Sequence, residues 1–154
     1  MTRLILASLA IATELPRVDS IVDLGSGAGF PGLPIAIVRP DAEVLLVEAR
    51  ERRHHFQRAA IRTLGSQNVR AHRGRIEELE PEPAHLVIAQ AVVPPPRVLP
   101  LMLPWLASGG YAVIPGAETP PDPGTHLGIA GFEVRQYREP AGGAVRTLWI
   151  GRKR

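Results

Sequence analysis

Ten consecutive residues, Asp23-Leu24-Gly25-Ser26-Gly27-Ala28-Gly29-Phe30-Pro31-Gly32, constrain this chain more than any others. A short β-branched run, Ile21-Val22, leads into them, and an apolar run ending at Arg39-Pro40 leaves them. The order is strand, glycine-rich turn, helix. Glycine takes left-handed backbone without a steric cost and lets backbone N–H groups approach a ligand closely. The helix that follows aims its positive end at a negative group. The stretch therefore predicts a nucleotide-like ligand held at a strand-to-helix junction.

Around this turn, strands and helices alternate. Residues 3–15 read as a helix that is apolar on most of its surface and is expected to be largely buried. Strands are predicted at 20–24 and 43–48, with a short helix at 31–38 that stops before Pro40. A helix over 50–64 follows, with Phe56, Ala60 and Leu64 as its apolar face and Gly65 as its stop. A third strand at 68–72, a helical turn at 75–79 and a fourth strand at 85–90 come next. Pro94 to Pro96 predict a stiff extended loop. The helix after it, 97–106, is kinked or shortened by Pro100 and Pro104, and Ser108-Gly109-Gly110 ends it. Strand five is expected at 111–114 and an irregular loop at 115–128. Strands at 132–138 and 145–150 form a hairpin through residues 140–143. The pattern predicts one domain over residues 1–154, an α/β doubly wound, mostly parallel sheet with a C-terminal antiparallel hairpin. That hairpin distinguishes methyltransferase-type sheets from dehydrogenase-type ones.

Composition removes several chemistries. The 154 residues contain no cysteine, which excludes disulfides, thiolate zinc sites and cysteine nucleophiles. Apolar residues make up 45% and charged ones 21%, ordinary for a soluble globular protein, and no window approaches the ~18 apolar residues of a membrane span. His54 and His55 are adjacent, so on a helix they project in different directions and no metal site is expected. Arg3 followed by Leu4 to Ala12 has the outline of a signal peptide, but Glu14, Arg17 and a strand follow at once. The segment is read as a packing helix of a cytoplasmic protein. Net charge is +3 and only Lys153 among 18 basic residues is a lysine. The arginines at 50, 52, 53, 58, 62, 70, 73 and 75 either track an RNA backbone or form a solvated face paired with Glu51, Glu77 and Glu78.

The acidic residues sharpen the site. Asp23 precedes the first glycine, Glu48 closes strand two and Glu77 follows strand three, so all lie at carboxyl ends of strands, where ligands bind. Dinucleotide enzymes usually carry G-x-G-x-x-G, whereas this turn is Gly25-Ser26-Gly27-Ala28-Gly29. Asp-x-Gly-x-Gly-x-Gly with a carboxylate ending strand two fits S-adenosylmethionine better. The glycines then admit the methionine portion, Asp23 meets its ammonium group directly or through water, and Glu48 accepts from the ribose hydroxyls. Ile76 and Glu77 flank the adenine. Ser26, Phe30, Ala49, Arg75 and Gln90 complete the predicted cofactor-binding set.

Asp23 to Gly32, the continuation Leu33-Pro34-Ile35-Ala36-Ile37-Val38-Arg39-Pro40, and Gly74-Arg75-Ile76-Glu77-Glu78 closely resemble the small-subunit rRNA methyltransferase G family, RsmG, also called glucose-inhibited division protein B. Leu6 to Ala10 look like the helix before its glycine motif, and Ala91-Val92-Val93-Pro94 like its region after strand four. The resemblance covers nearly the whole chain. It implies a class I methyltransferase fold, S-adenosylmethionine as cofactor, and transfer of a methyl group to N7 of a guanine in 16S rRNA by a monomer. Guanine N7 carries an available lone pair, so no catalytic base or metal is expected; orientation alone supplies up to about 7–11 kcal/mol in favourable cases. The chain departs from the family at three places. The family commonly has Ser-Arg-Ala at Ala89-Gln90-Ala91, Lys-Gly at Pro115-Gly116, and a helical N-terminal extension. Two further readings keep the same pocket: a shortened relative that binds the cofactor without methylating rRNA, and a small-molecule methyltransferase.

Overall fold

The computed structural model describes residues 1–116, 121, 128–140 and 142–154. In chain order the elements are α1 (Thr2–Glu14), β1 (Ser20–Leu24), α2 (Gly32–Val38), β2 (Glu43–Glu48), α3 (Glu51–Leu64) and β3 (Val69–Arg73). Then come β4 (Ala84–Ala89), α4 (Pro95–Met102), β5 (Leu106–Pro115), β6 (Ile129–Arg138) and β7 (Val145–Lys153). All seven strands lie in one sheet, ordered β3-β2-β1-β4-β5-β7-β6. The first five run parallel, and β7 enters antiparallel between β5 and β6. Strand order reverses between β1 and β4, and the crevice at such a switch point is where open α/β sheets bind ligands.

Strand alternation builds a core on each side of the sheet. Ile21, Val44, Leu46, Leu86, Ile88 and Ile150 point to the face covered by α1 and α2. Val22, Leu24, Leu45, Val47, Val87 and Trp149 point to the face covered by α4. Burying each such side chain contributes about 1.5–3 kcal/mol. Trp105 and Trp149 are both core residues. Two polar side chains close the ends of the helices beneath the first face. Arg39 donates to the carbonyls of Ala12, Leu15 and Pro16 at the end of α1, and Asn68 donates to those of Ala36, Arg39 and Ala42 after α2.

Four expectations differ in detail. In α1 the buried residues are Ser8, Ile11 and Ala12, while Leu4 and Ile5 are exposed, because only its C-terminal half lies on the sheet. In α3 Phe56 and Leu64 are about half exposed, at 47% and 54%, and His54 and Gln57 are buried instead. Gly65 ends that helix in the left-handed conformation as expected, with φ 62. Pro95 and Pro96 belong to the first turn of α4, where a missing N–H costs nothing, and Leu103–Trp105 continue as a 3-10 turn. Ser108-Gly109-Gly110 lie inside β5, where Gly109 has φ 72 beside a register shift against β4. Most of the predicted loop 115–128 (117–120 and 122–127) and residue 141 of the predicted hairpin turn lie outside the described residues. No described helix is long and apolar enough to cross a membrane.

The junction of β1 and α2 is tight. A Cβ at Gly32 would sit 2.4 Å from Leu46 Cδ2 and 2.7 Å from Asp23 Oδ2. Gly32→Ala is expected to lower stability by about 1–3 kcal/mol through overpacking, read as a lower midpoint in urea unfolding; an unchanged midpoint would show that the junction has slack.

Candidate functional site

The turn after β1 folds back on β2. Ser26 N–H donates to the Val47 carbonyl at 3.0 Å, and Gly29 N–H returns to the Ser26 carbonyl at 2.8 Å. Gly25 and Gly27 have φ of 66 and 58, a region that side chains rarely occupy. Gly25 is also approached from above: a Cβ there would lie 2.6 Å from Val92 Cγ2. Three side chains then hold the turn. Glu48 Oε2 accepts from Gly27 N–H at 2.8 Å, and its Oε1 accepts from Arg50 N–H at 2.8 Å. Gln57, from α3, donates to the Gly27 carbonyl and to Ser26 Oγ, both at 2.7 Å. Asp23 Oδ2 accepts from Gly32 N–H at 2.8 Å.

Asp23 is 1% exposed. Burial pushes its carboxyl up to about 7, the Gly32 N–H pulls it down, and the nearby Glu48 charge raises it further. Its charge state is therefore open to change near neutral pH.

A groove of about 550 Å³ opens at the carboxyl ends of β1, β2 and β3. Of the predicted residues it brings together Gly25, Glu48, Ala49, Arg75, Ile76 and Glu77, joined on the far wall by Val92 and Leu101. Gly27 lies one hydrogen bond away through Glu48. Asp23, Ser26 and Gly29 are buried beneath the turn, and Phe30 is half-buried beyond it. Gln90 lines a neighbouring hollow with Pro115, Glu139 and Arg146. Gln57, Val92 and the left-handed Ala91 (φ 54) are parts of this region that sequence reasoning missed. Gln57 stands three residues after His54 and four before Ile61, so a helix face drawn through His54 and Ile61 would have included it.

The family model described as GidB, rRNA small subunit methyltransferase G, matches residues 1–122. The chain belongs to this family. It is 41% identical over 135 residues to a ribosomal RNA small subunit methyltransferase G of Kineococcus radiotolerans, covering 86% of this chain and 51% of that one. It is 43% identical over 107 residues to the protein of the same name from Thermobifida fusca, covering 68% and 45%. The chain thus spans about half the length of these relatives. Among solved structures, M. jannaschii TYW2 in complex with AdoMet superposes with a TM-score of 0.76 at 19% identity, over 100% of this chain and 77% of that one. The likeness shows the class I methyltransferase fold that the family resemblance implied.

The groove of the family member fits S-adenosylmethionine in size and chemistry. Its volume falls in the range of about 300–1,000 Å³ usual for ligand sites. Each Glu48 oxygen uses one backbone N–H, and a carboxylate has about four acceptor positions, so two remain for hydroxyl donors.

Two outcomes follow from the clamps. Gln57→Leu removes both donors to the turn and is expected to cost about 1–3 kcal/mol in urea unfolding; no change would mean that the turn holds without α3. Burial raises the Asp23 carboxyl to about 7 from its ordinary value of 3.8. Its contribution to stability is therefore full below about pH 4 and is lost as pH rises through about 7. Asp23→Asn keeps an acceptor for Gly32 N–H without the charge. The difference between wild-type and Asn unfolding free energies should change across pH 4–7, whereas a flat difference would place Asp23 in solvent.

Proposed function

We propose that this chain is one S-adenosylmethionine-dependent methyltransferase domain, acting as a monomer in the cytoplasm on N7 of a guanine in 16S rRNA. The observation that carries the cofactor reading is the meeting of Gly25, Glu48 and the Ile76-Glu77 pair in one groove at the sheet's switch point. Glu48 is assigned to the ribose hydroxyls, the Gly25 side of the groove to the methionine portion, and Ile76 and Glu77 to the adenine. Asp23 answers the ammonium group through the turn, since its carboxylate is buried behind Gly32. The bound cofactor supplies an electrophilic sulfonium methyl group. The chain's task is then to orient the base and exclude water, because N7 offers its lone pair without losing a proton.

The curated relatives' name, ribosomal RNA small subunit methyltransferase G, supports rRNA as substrate. The arginine pattern supports it as well. Arg70, Arg73 and Arg75 pair with Glu82, Glu51 and Glu78. Arg52, Arg53, Arg58 and Arg62 are exposed on α3 with no carboxylate within 4.0 Å among the described residues. Such a face gains affinity from phosphates in a salt-dependent manner.

Calorimetric titration with S-adenosylhomocysteine tests the groove. Binding is expected, and Glu48→Ala should weaken it about tenfold or more, the worth of hydrogen bonds to a charged group. No heat at millimolar ligand, with the fold intact, would overturn the assignment. Labelled methyl transfer to small subunits from a strain lacking the family's enzyme tests the substrate, and label at guanine N7 is the expected result.

A further inference from the structure

Beside the cofactor groove lies a second hollow of about 320 Å³, in which the cofactor reading engages only the rim residue Gln90 and the shared wall. The two share Ala91 and Val93, so their occupants would be neighbours. Val93 and Ile114 give the hollow an apolar side, and Tyr137, Glu139 and Arg146 bring the C-terminal strands to it. Its size suits one flat base. Enzymes that act on a base commonly extrude it into such a pocket, stack it on apolar groups and read its Watson–Crick edge.

Glu139 is the acceptor-only group of this hollow. Its Oε2 takes Arg3 Nη2 at 3.0 Å and its Oε1 takes Arg146 Nε at 3.1 Å. The Arg3 guanidinium, with Arg146, holds the carboxyl below its ordinary range, so it is an acceptor at neutral pH. Among the described residues the two arginines occupy about half of its acceptor positions and leave about one on each oxygen. A carboxylate with two adjacent acceptors selects a ligand with two adjacent donors. Among the RNA bases only guanine offers these on its Watson–Crick edge, as N1–H and the 2-amino group. Its N7 lies at the opposite end of the base. A guanine gripped at Glu139 therefore turns N7 away from the hairpin, toward the Ala91–Val93 wall shared with the cofactor groove.

We propose that Glu139 determines specificity for the target guanine by accepting from N1–H and the 2-amino group, with Arg3 and Arg146 as positioning residues that fix its carboxylate. This rests on the guanine-N7 reading above.

The test uses the full chain with S-adenosylhomocysteine present. The probes are two fluorescent RNA hairpins, one whose loop holds its only unpaired guanosine and one with inosine there, which lacks the 2-amino group. Moderate salt mutes the phosphate contacts common to both. The unaltered chain is expected to prefer guanosine about tenfold or more. Glu139→Gln should bring the ratio near one while the S-adenosylhomocysteine affinity is unchanged, and Glu139→Asp should restore part of it. A merely structural role for Glu139 would weaken both hairpins equally and keep their ratio. That result, or the absence of any preference in the unaltered chain, overturns the proposal. Methyl transfer to the guanosine hairpin is scored separately. Its absence counts against the proposed activity, whereas the binding ratio needs no turnover and decides the role of Glu139.

Discussion

Gly27 is held on both of its peptide groups, and the ligand-binding end of the sheet depends on that clamp. Its N–H is taken by Glu48 from the end of β2, and its carbonyl by Gln57 from α3. Its φ of 58 is open to glycine and strained for most other residues. Three elements distant in sequence therefore agree on the shape of one turn. Because these bonds are internal, the turn needs no ligand to take that shape, and less ordering cost remains to be met on binding. The arrangement buries Glu48, Gln57, Ser26 and Asp23 in a region of otherwise apolar contacts. Burying polar groups costs stability unless they are partnered; here the partners are largely backbone groups of the turn, while Gln57 Oε1 has none among the described residues.

The same clamp explains which parts of the molecule were legible in the sequence. Strands β1 and β2 match their predicted bounds because buried parallel strands are continuous apolar runs with sharp ends. Glu48 stood out as an acid closing such a run. Helix α3 misled because the rule that the apolar face turns inward fails where a helix serves a site. Its inward residues are His54, on the Ala71 carbonyl, and Gln57, on the turn, while Phe56 and Leu64 face out. Local conflicts of this sort are expected at functional positions. The prolines and glycines near α4 and β5 misled for a different reason. Pro95 and Pro96 start a helix as readily as they extend a loop, and Gly109 bends a strand as readily as it ends a helix. Such residues mark a change in the backbone without saying which change.

Asp23 shows how a residue singled out for a ligand can carry a structural role. An acid before the first glycine suggested a partner for an ammonium group, directly or through water. Its observed partner is Gly32 N–H, the first residue of α2, so the side chain ties β1 to the helix that the turn leads into. Burial raises its pKa into the neutral range, and an approaching cation would favour the ionised form and lower it again. A structural tie and a charge that answers to the ligand are thus combined in one carboxyl group. The geometry gives the first role outright and makes the second a matter of protonation.

The family resemblance placed an arginine where this chain has Gln90 and a lysine where it has Pro115. Both positions line the hollow that also holds Glu139 and Arg146. Charge in that hollow therefore comes from the C-terminal strands and from α1, through Arg146 and Arg3, and not from the ends of β4 and β5. Two cations at those strand ends would suit a phosphate beside the reacting base. Their replacement by an amide and a proline leaves a hollow with an apolar side and one fixed carboxylate, an environment for an uncharged base. On the proposed function, phosphate attraction then falls to the arginines of α3 that have no carboxylate within 4.0 Å among the described residues. On that function, holding the RNA backbone and reading the base fall to different elements.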